Sequence, residues 1–104
     1  MKTGACNVAG SWTFLTNHGH VLVSIAQNPH CRARDLAERV GITERTVRRI
    51  IAELNEAGYL TFDRQGRRNR YAVHAELQMR HQVEGDCLVS DLLDTVMHPG
   101  TPSY

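Results

Sequence analysis

Two groups of arginines carry the chemistry that this sequence offers. One group begins at Arg45, and the other surrounds Gly66. A guanidinium donates several hydrogen bonds from a rigid planar fork, which fits a phosphate group or the two major-groove acceptors of guanine. Both groups therefore indicate a polyanionic partner, and double-stranded DNA offers phosphates and guanine edges together. The members are Arg45, Arg48 and Arg49 in the first group, and Arg64, Arg67, Arg68 and Arg70 in the second.

The distribution of charge along the chain supports this interpretation. The formal net charge of the 104 residues is only +1, but every arginine lies between Arg32 and Arg80, and the segment after Arg80 is acidic. Such a separation predicts that the middle of the chain meets a polyanion, while the end does something else, such as pairing with protein. The alternative is that arginine simply replaces lysine throughout this protein.

Length and cysteine usage restrict the class of protein. A chain of 104 residues is expected to form one domain. Cys6, Cys31 and Cys87 are odd in number and widely spaced, so they indicate neither a disulfide framework nor a zinc ribbon. We find no apolar run of the length of a signal peptide or a membrane span, and therefore expect a cytoplasmic protein without a membrane partner.

Other kinds of chemistry have little support in the sequence. There is no glycine-rich phosphate loop, no nucleophile elbow and no recognisable pair of carboxylates, so we expect no catalytic residues and no enzyme activity. The close pairings His18-x-His20 and His30-Cys31 match no familiar metal-ligand spacing. We therefore predict no metal and no cofactor, and the sequence identifies no effector ligand.

The first arginine group lies on a predicted helix. Thr43 is a good N-cap residue, and Glu44 follows it in the first turn, at the positive end of the helix dipole. Apolar residues then recur at three- and four-residue steps up to Gly58. This spacing directs Val47, Ile51 and Leu54 inward, and it leaves four polar side chains pointing outward near the N-terminal half, namely Arg45, Thr46, Arg48 and Arg49.

Two shorter helices are predicted before this one. The first runs from His18 to Gln27 with Asn17 as its N-cap, and Asn28-Pro29 ends it. The second contains Leu36, Ala37 and Val40 and stops at Gly41, because glycine accepts the left-handed conformation that closes a helix.

The second arginine group lies at the tip of a predicted hairpin. Leu60 and Phe62 alternate with polar residues before the loop, and Tyr71 and Val73 do so after it, with Gly66 in the loop. The hairpin's apolar face is expected to lie on the helices. Like charges crowded at its tip repel one another unless an anion lies nearby, although an ordinary solvated loop is the alternative.

The chain ends in a predicted fourth helix with an apolar stripe. We expect residues 1–10 to be flexible, 11–75 to form the main domain, 76–97 to contain this helix, and 98–104 to be a tail. The stripe is expected either to pair two copies of the chain, which we favour, or to complete the core of one copy. The residues proposed for pairing are Leu88, Leu92, Leu93 and Val96.

The order helix, helix, tight turn, helix and basic hairpin resembles the winged helix-turn-helix fold of MarR-like and ArsR-like transcriptional regulators. The resemblance covers about residues 12–73. Ala37 stands where the family has a small residue, Gly41 stands at the turn, and apolar residues stand where the helix pair is locked. The run Leu54-Asn55-Glu56-Ala57-Gly58-Tyr59-Leu60 resembles the family's passage from recognition helix into wing. The fold class implied is mainly α with a small β-hairpin (α+β), plus an additional C-terminal helix.

The resemblance also implies a function, since winged-helix repressors usually bind pseudo-palindromic DNA as dimers. We predict a homodimeric, sequence-specific regulator that binds double-stranded DNA. Arg45 and Arg48 are the better candidates for reading bases; Thr46 is expected at a thymine methyl or a phosphate, and Arg49 at a phosphate or paired with Glu53. Thr43 and Arg34 are weaker phosphate candidates.

Two alternatives remain open at this point. The arginines of the third helix could be a solvated face that forms local salt bridges with Glu44 and Glu53. The whole domain could also be a protein-interaction module that docks on acidic protein, because a fold alone does not fix an activity.

Overall fold

A computed structural model describes residues 12–97 of the chain. This part contains four α-helices and one antiparallel hairpin, which confirms the predicted fold class. The segments expected to be a flexible N-terminus (1–10) and a tail (98–104) lie outside the described residues. In chain order the elements are α1 (Asn17–Gln27), α2 (Ala33–Val40), α3 (Glu44–Glu56), β1 (Leu60–Gln65), β2 (Arg68–Val73) and α4 (Val89–Met97).

The turn between α2 and α3 has the geometry that the sequence predicts. Gly41 has a φ of +87°, and its N–H donates a hydrogen bond of 2.8 Å to the carbonyl oxygen of Ala37, which closes α2. Thr43 then caps α3, since its Oγ1 accepts a hydrogen bond of 3.1 Å from the N–H of Thr46. These two caps fix the direction in which α3 leaves α2.

The start of α1 differs from the prediction by one residue. Thr16 is the N-cap, and its Oγ1 accepts a 3.3 Å hydrogen bond from the N–H of Gly19, whereas Asn17 is already the first helical residue. Threonine and asparagine are both good caps, so residue type alone could not separate these neighbours. The end of α1 is as predicted, with Asn28 outside the helical region before Pro29.

The core lies between α1, α2, α3 and the base of the hairpin. The inward stripe predicted for α3 is confirmed, because each of its apolar residues is less than 9% exposed. The opposite side of α3, which carries the arginines, is therefore left to solvent. The largest side chains that are almost completely buried are Val21, Ile25, Leu36, Val47, Ile50 and Leu60.

The hairpin is fixed both by its register and by a contact with the helices. Leu60 pairs with Val73 and Phe62 with Tyr71, and Gly66, with a φ of +65°, begins the two-residue connection. The N–H of Tyr71 points away from β1 and donates a 2.9 Å hydrogen bond to the carbonyl oxygen of Pro29. This bond attaches β2 to the link between α1 and α2, so the hairpin keeps a defined position beside the helices.

Helix α4 begins one residue after Leu88, the first residue of the predicted stripe, and it packs against α1. Val89 and Leu93 are buried in the core of this chain, whereas Leu92 and Val96 are half-buried against it. The expectation that Leu93 belongs to a pairing surface is therefore corrected, because its side chain completes the core of its own protomer. Within residues 12–97, no helix is both long and apolar enough to cross a membrane.

Candidate nucleic-acid interface

An open groove of about 620 Å³ runs between α3, the start of α2 and the hairpin. Its walls carry guanidinium groups from three separate elements, together with the aromatic rings of Phe62 and Tyr71 and the amides of Asn55 and Asn69. A surface with this much positive charge attracts an anion that extends along it. The arginines that line it are Arg32 and Arg34 near the start of α2, Arg48 on α3, and Arg64, Arg67 and Arg68 on the hairpin.

The arginines of α3 divide between the groove and the outer surface of the helix. Arg48 lines the groove, whereas Arg45 and Arg49 are exposed without being part of its walls. Among residues 12–97, Arg45 is the member of the three that has no carboxylate within salt-bridge distance. Its guanidinium is therefore available to a partner without first giving up an ion pair.

The other two arginines of α3 form the local salt bridges that the sequence left open as an alternative. Arg48 Nη2 lies 3.1 Å from Glu44 Oε2, and Arg49 Nη1 lies 3.3 Å from Glu53 Oε2. Each pair joins residues four apart on a solvated helix face, where an ion pair stabilises by only about 0.3–0.5 kcal/mol. Such weak pairs leave both guanidinium groups able to exchange a carboxylate for a phosphate or a base edge.

Glu53 also connects α3 to α1. His18 Nε2 lies 2.6 Å from Glu53 Oε1, so this carboxylate contacts both His18 and Arg49. The hydrogen bond from His18, followed by the charge and hydrogen bond of Arg49, lowers the pKa of Glu53 below its ordinary value. Arg49 is in this way held toward the α1 side of the helix, away from the groove.

The two threonines at the start of α3 mainly serve the helix. Thr43 Oγ1 accepts from the backbone N–H of Thr46 and donates to Thr46 Oγ1 at 2.9 Å. The hydroxyl of Thr46 still has its own proton to donate, whereas the hydrogen-bonding capacity of Thr43 is largely used in the cap.

Three arginines at the tip of the hairpin line the groove without a carboxylate partner in the described residues. Arg64 Nε donates a 3.2 Å hydrogen bond to the carbonyl oxygen of Gly66, which holds its side chain beside the turn. Within residues 12–97, no carboxylate lies within 4.0 Å of the guanidinium groups of Arg64, Arg67 or Arg68. These three positive charges make the tip of the hairpin a favourable site for an anion.

Sequence comparison agrees with this geometry. Residues 16–61 match the family of winged helix-turn-helix DNA-binding domains. The fold is a winged helix-turn-helix. Helices α2 and α3 form the helix-turn-helix, α3 stands at the position that is called the recognition helix in this fold, and the hairpin of β1 and β2 stands at the position of the wing. No curated protein is detectably similar to the sequence.

Eleven chains of solved structures match this chain, and two of them illustrate the shared fold. The crystal structure of the transcriptional regulator PcaV from Streptomyces coelicolor, in complex with its natural ligand, has a TM-score of 0.51 at 19% identity, and the match covers 91% of this chain and 69% of that one. IscR from T. potens has a TM-score of 0.58 at 16% identity, and the match covers 97% of this chain and 97% of that one. At these identities the likeness concerns the fold.

The strand register places Arg70 and Arg64 on opposite faces of the wing, whereas Arg67 and Arg68 line the groove from the turn end of the hairpin. Side chains alternate between the two faces of a strand, so Arg64 and Asn69 share the face of Phe62 and Tyr71, which is turned toward the recognition helix. Arg70 pairs with Asp63 on the opposite face and does not line the groove. The structure thus brings three of the four predicted wing arginines to the groove, and leaves Arg70 outside it.

Arg32 is a groove residue that the sequence did not single out. It precedes the first residue of α2, and its Nε lies 3.3 Å from Asp35 Oδ2, which lowers the pKa of that carboxyl. The available signal was the pattern Arg32-x-Arg34 at the start of a helix, where two guanidinium groups flank free backbone amides. Arg34 was predicted as a phosphate candidate and also lines the groove.

The cysteine and histidine side chains of the described part form no metal-binding cluster. Among residues 12–97, no three His, Cys, Asp or Glu side chains lie close enough to hold a metal ion. Cys31 is buried, and this burial raises the pKa of its thiol. A thiol held in its protonated form is a poor nucleophile.

Proposed function

We propose that this protein is a sequence-specific transcriptional regulator, of the MarR-like or ArsR-like kind, that binds double-stranded DNA in the cytoplasm. The recognition helix α3 enters the major groove, and the wing contacts the flanking backbone or minor groove. The observation that carries the proposal is the convergence of arginines from α2, α3 and the wing on one groove. A DNA backbone that passes from the major to the minor groove beside α3 would lie along this surface.

The roles of individual residues follow from their surroundings. Arg45 and Arg48 are the proposed base-reading residues, because they project from the N-terminal half of the recognition helix. Arg34, Arg64, Arg67 and Arg68 are the proposed phosphate contacts, joined by Arg32. Thr46 is proposed to contact a thymine methyl or a phosphate, and Arg49 a phosphate outside the groove. Thr43 acts through the cap of α3.

We also propose that the protein acts as a homodimer, with Leu88, Leu92 and Val96 in the interface. Leu92 and Val96 keep part of their apolar surface exposed on α4, and Met97, at its end, is 40% exposed. Two copies related by a two-fold axis would present two recognition helices to successive major grooves. Analytical ultracentrifugation of the full chain tests this, and a monomer mass at all concentrations would reject the dimer.

DNA binding is tested by titrating the protein with bulk genomic DNA and then with duplexes selected from a random pool. If about six phosphates are neutralised, the plot of log affinity against log salt concentration has a slope near −5 per protomer. Recovery of a defined sequence supports a regulator. Absence of binding at low salt would favour the protein-interaction alternative, because that function does not need a polyanionic partner.

A further inference from the structure

Glu44 stands out in the groove because of its charge. Among residues 12–97 it is the one carboxylate that lines this groove, and the other charged residues of the lining are six arginines. Its side chain is 43% exposed, so an incoming ligand can reach it. A surface that served only to hold phosphates would gain nothing from a negative charge here, since the carboxylate repels every phosphate that approaches.

Two structural roles explain part of its position. Glu44 lies in the first turn of α3, where a negative charge interacts favourably with the helix dipole, and it holds Arg48 Nη2 at 3.1 Å. Both effects are weak on an exposed helix face. Neither requires the carboxylate to point into the groove, because Asp or Glu at other first-turn positions would serve the dipole equally well.

We infer that Glu44 reads a base: its carboxylate accepts a hydrogen bond from the N4 amino group of a cytosine, in the base pair next to a guanine bound by Arg48. This inference rests on the proposed function, and it assigns part of the sequence preference to a residue outside the arginine groups. A carboxylate suits cytosine because it only accepts hydrogen bonds, and N4 of cytosine is a donor in the major groove.

The geometry of the pair fits two neighbouring bases. Residues four apart lie on the same face of a helix, about 6 Å apart along its axis. The reactive ends of Glu44 and Arg48 are only 3.1 Å apart. Adjacent bases of one strand are separated by about 3.4 Å along the duplex, so the two side-chain ends can contact successive bases while they remain paired with each other. The ion pair thus pre-organises both groups before DNA binds.

The test compares the full-length wild-type protein with Glu44→Gln and Glu44→Ala, and uses Glu56→Gln as the matched control. Glu56 is exposed on the same helix, outside the groove, and among residues 12–97 it forms no ion pair. Its substitution therefore removes the same charge from α3. Each protein selects duplexes from a random pool, and competition binding with single-base-pair variants then measures the preference at every position.

The inference predicts a cytosine in the wild-type site whose replacement weakens binding by about five- to 150-fold. Glu44→Ala loses this preference, and Glu44→Gln shifts it toward adenine, which offers the donor and acceptor that an amide reads. The Glu56→Gln protein keeps the wild-type preference. With Arg48→Ala the guanine preference disappears and the cytosine preference remains, as expected if Glu44 contacts its own base.

Unchanged base preferences in Glu44→Gln and Glu44→Ala, with a wild-type protein that selects a defined site, would overturn the inference and leave the proposed function standing. The inference is likewise overturned if Glu44→Ala weakens only the guanine preference, since Glu44 would then merely position Arg48. If the wild-type protein selects no sequence at all, the proposed function fails, and the inference fails with it. Circular dichroism of each variant confirms that the preferences belong to folded protein.

Discussion

The two faces of the wing allow a strict test of where DNA lies. Arg67 lines the groove beside the recognition helix, whereas Arg70 lies on the opposite face of the same hairpin. Arg67 and Arg70 are both exposed and lie three residues apart. Arg67→Ala and Arg70→Ala therefore each remove one positive charge from the same hairpin. An effect of net charge alone would weaken DNA binding equally in both variants. A contact through the groove would weaken it mainly in Arg67→Ala.

The size of the effect follows from the release of counterions. One phosphate contact contributes about 0.9 to the slope of log affinity against log salt concentration, which is about eightfold in affinity over each tenfold change in salt. We therefore expect Arg67→Ala to bind about eightfold more weakly near 0.1 M salt and to flatten the slope by about 1. For Arg70→Ala we expect less than about a twofold loss, because a charge on the far face is largely screened.

Fluorescence anisotropy with labelled duplexes measures both quantities. Each variant is titrated at several salt concentrations against a selected site and against a scrambled duplex. Arg67→Ala should weaken binding to both duplexes equally, because a phosphate contact carries no sequence information. Equal losses in the two variants, or a larger loss in Arg70→Ala, would refute the placement of DNA in the groove.

Substitutions at three further positions test other parts of the account. Arg48→Ala should relax the base preference at one position, measured by competition with single-base-pair variants, while the wing contacts keep general DNA affinity. Thr43→Ala should lower the free energy of unfolding by about 1 kcal/mol in chemical denaturation, because α3 loses its cap, and Thr43→Ser should restore most of it. Glu53→Gln should destabilise the protein above the ordinary pKa of a glutamate, and the difference from wild type should fade as pH falls through the lowered pKa of Glu53, because the native carboxylate then takes up its proton. A difference that grew toward acid would contradict the stabilising role of the His18–Glu53 contact.

The local signals for the helix-turn-helix were strong enough to be read directly from residue types. Gly41 and Thr43 have few substitutes at a left-handed helix end and an N-cap, and the apolar spacing of α3 leaves one choice for its buried face. The outward position of Arg45 and Arg48 follows from the same spacing. These features depend on contacts between residues that are close in the sequence, so residue types alone are enough to predict them.

The groove itself depends on contacts between distant segments. The face that carries Arg70 follows from its alternation with Tyr71, but the approach of Arg67 and Arg68 to the groove depends on which residues form the turn. The glycine lies within the run Arg64-Gln65-Gly66-Arg67-Arg68, so residue types leave the exact turn residues open, and the pairing of Gln65 with Arg68 in the structure fixes them. The hydrogen bond from the N–H of Tyr71 to the carbonyl oxygen of Pro29 holds the hairpin beside the segment that contains Arg32. No local residue pattern predicts this contact.

The fourth helix shows the same limit for apolar residues. A stripe on one helix indicates a buried face, but it does not state which surface covers it. Leu93 is covered by the core of this chain, while Leu92 and Val96 remain half-exposed beside it. The three residues lie within one turn or so of each other, so only the packing of α4 on α1 distinguishes them.

The central claim is that DNA lies between the recognition helix and the wing. Nuclear magnetic resonance of the arginine Nε–H groups tests it most directly, with a selected duplex titrated into the full-length protein. We predict large shifts for Arg48, Arg64 and Arg67, and little change for Arg39 and Arg80, which are exposed outside the groove. Shifts confined to Arg39 and Arg80, with the groove arginines unchanged by a duplex that binds, would contradict the account.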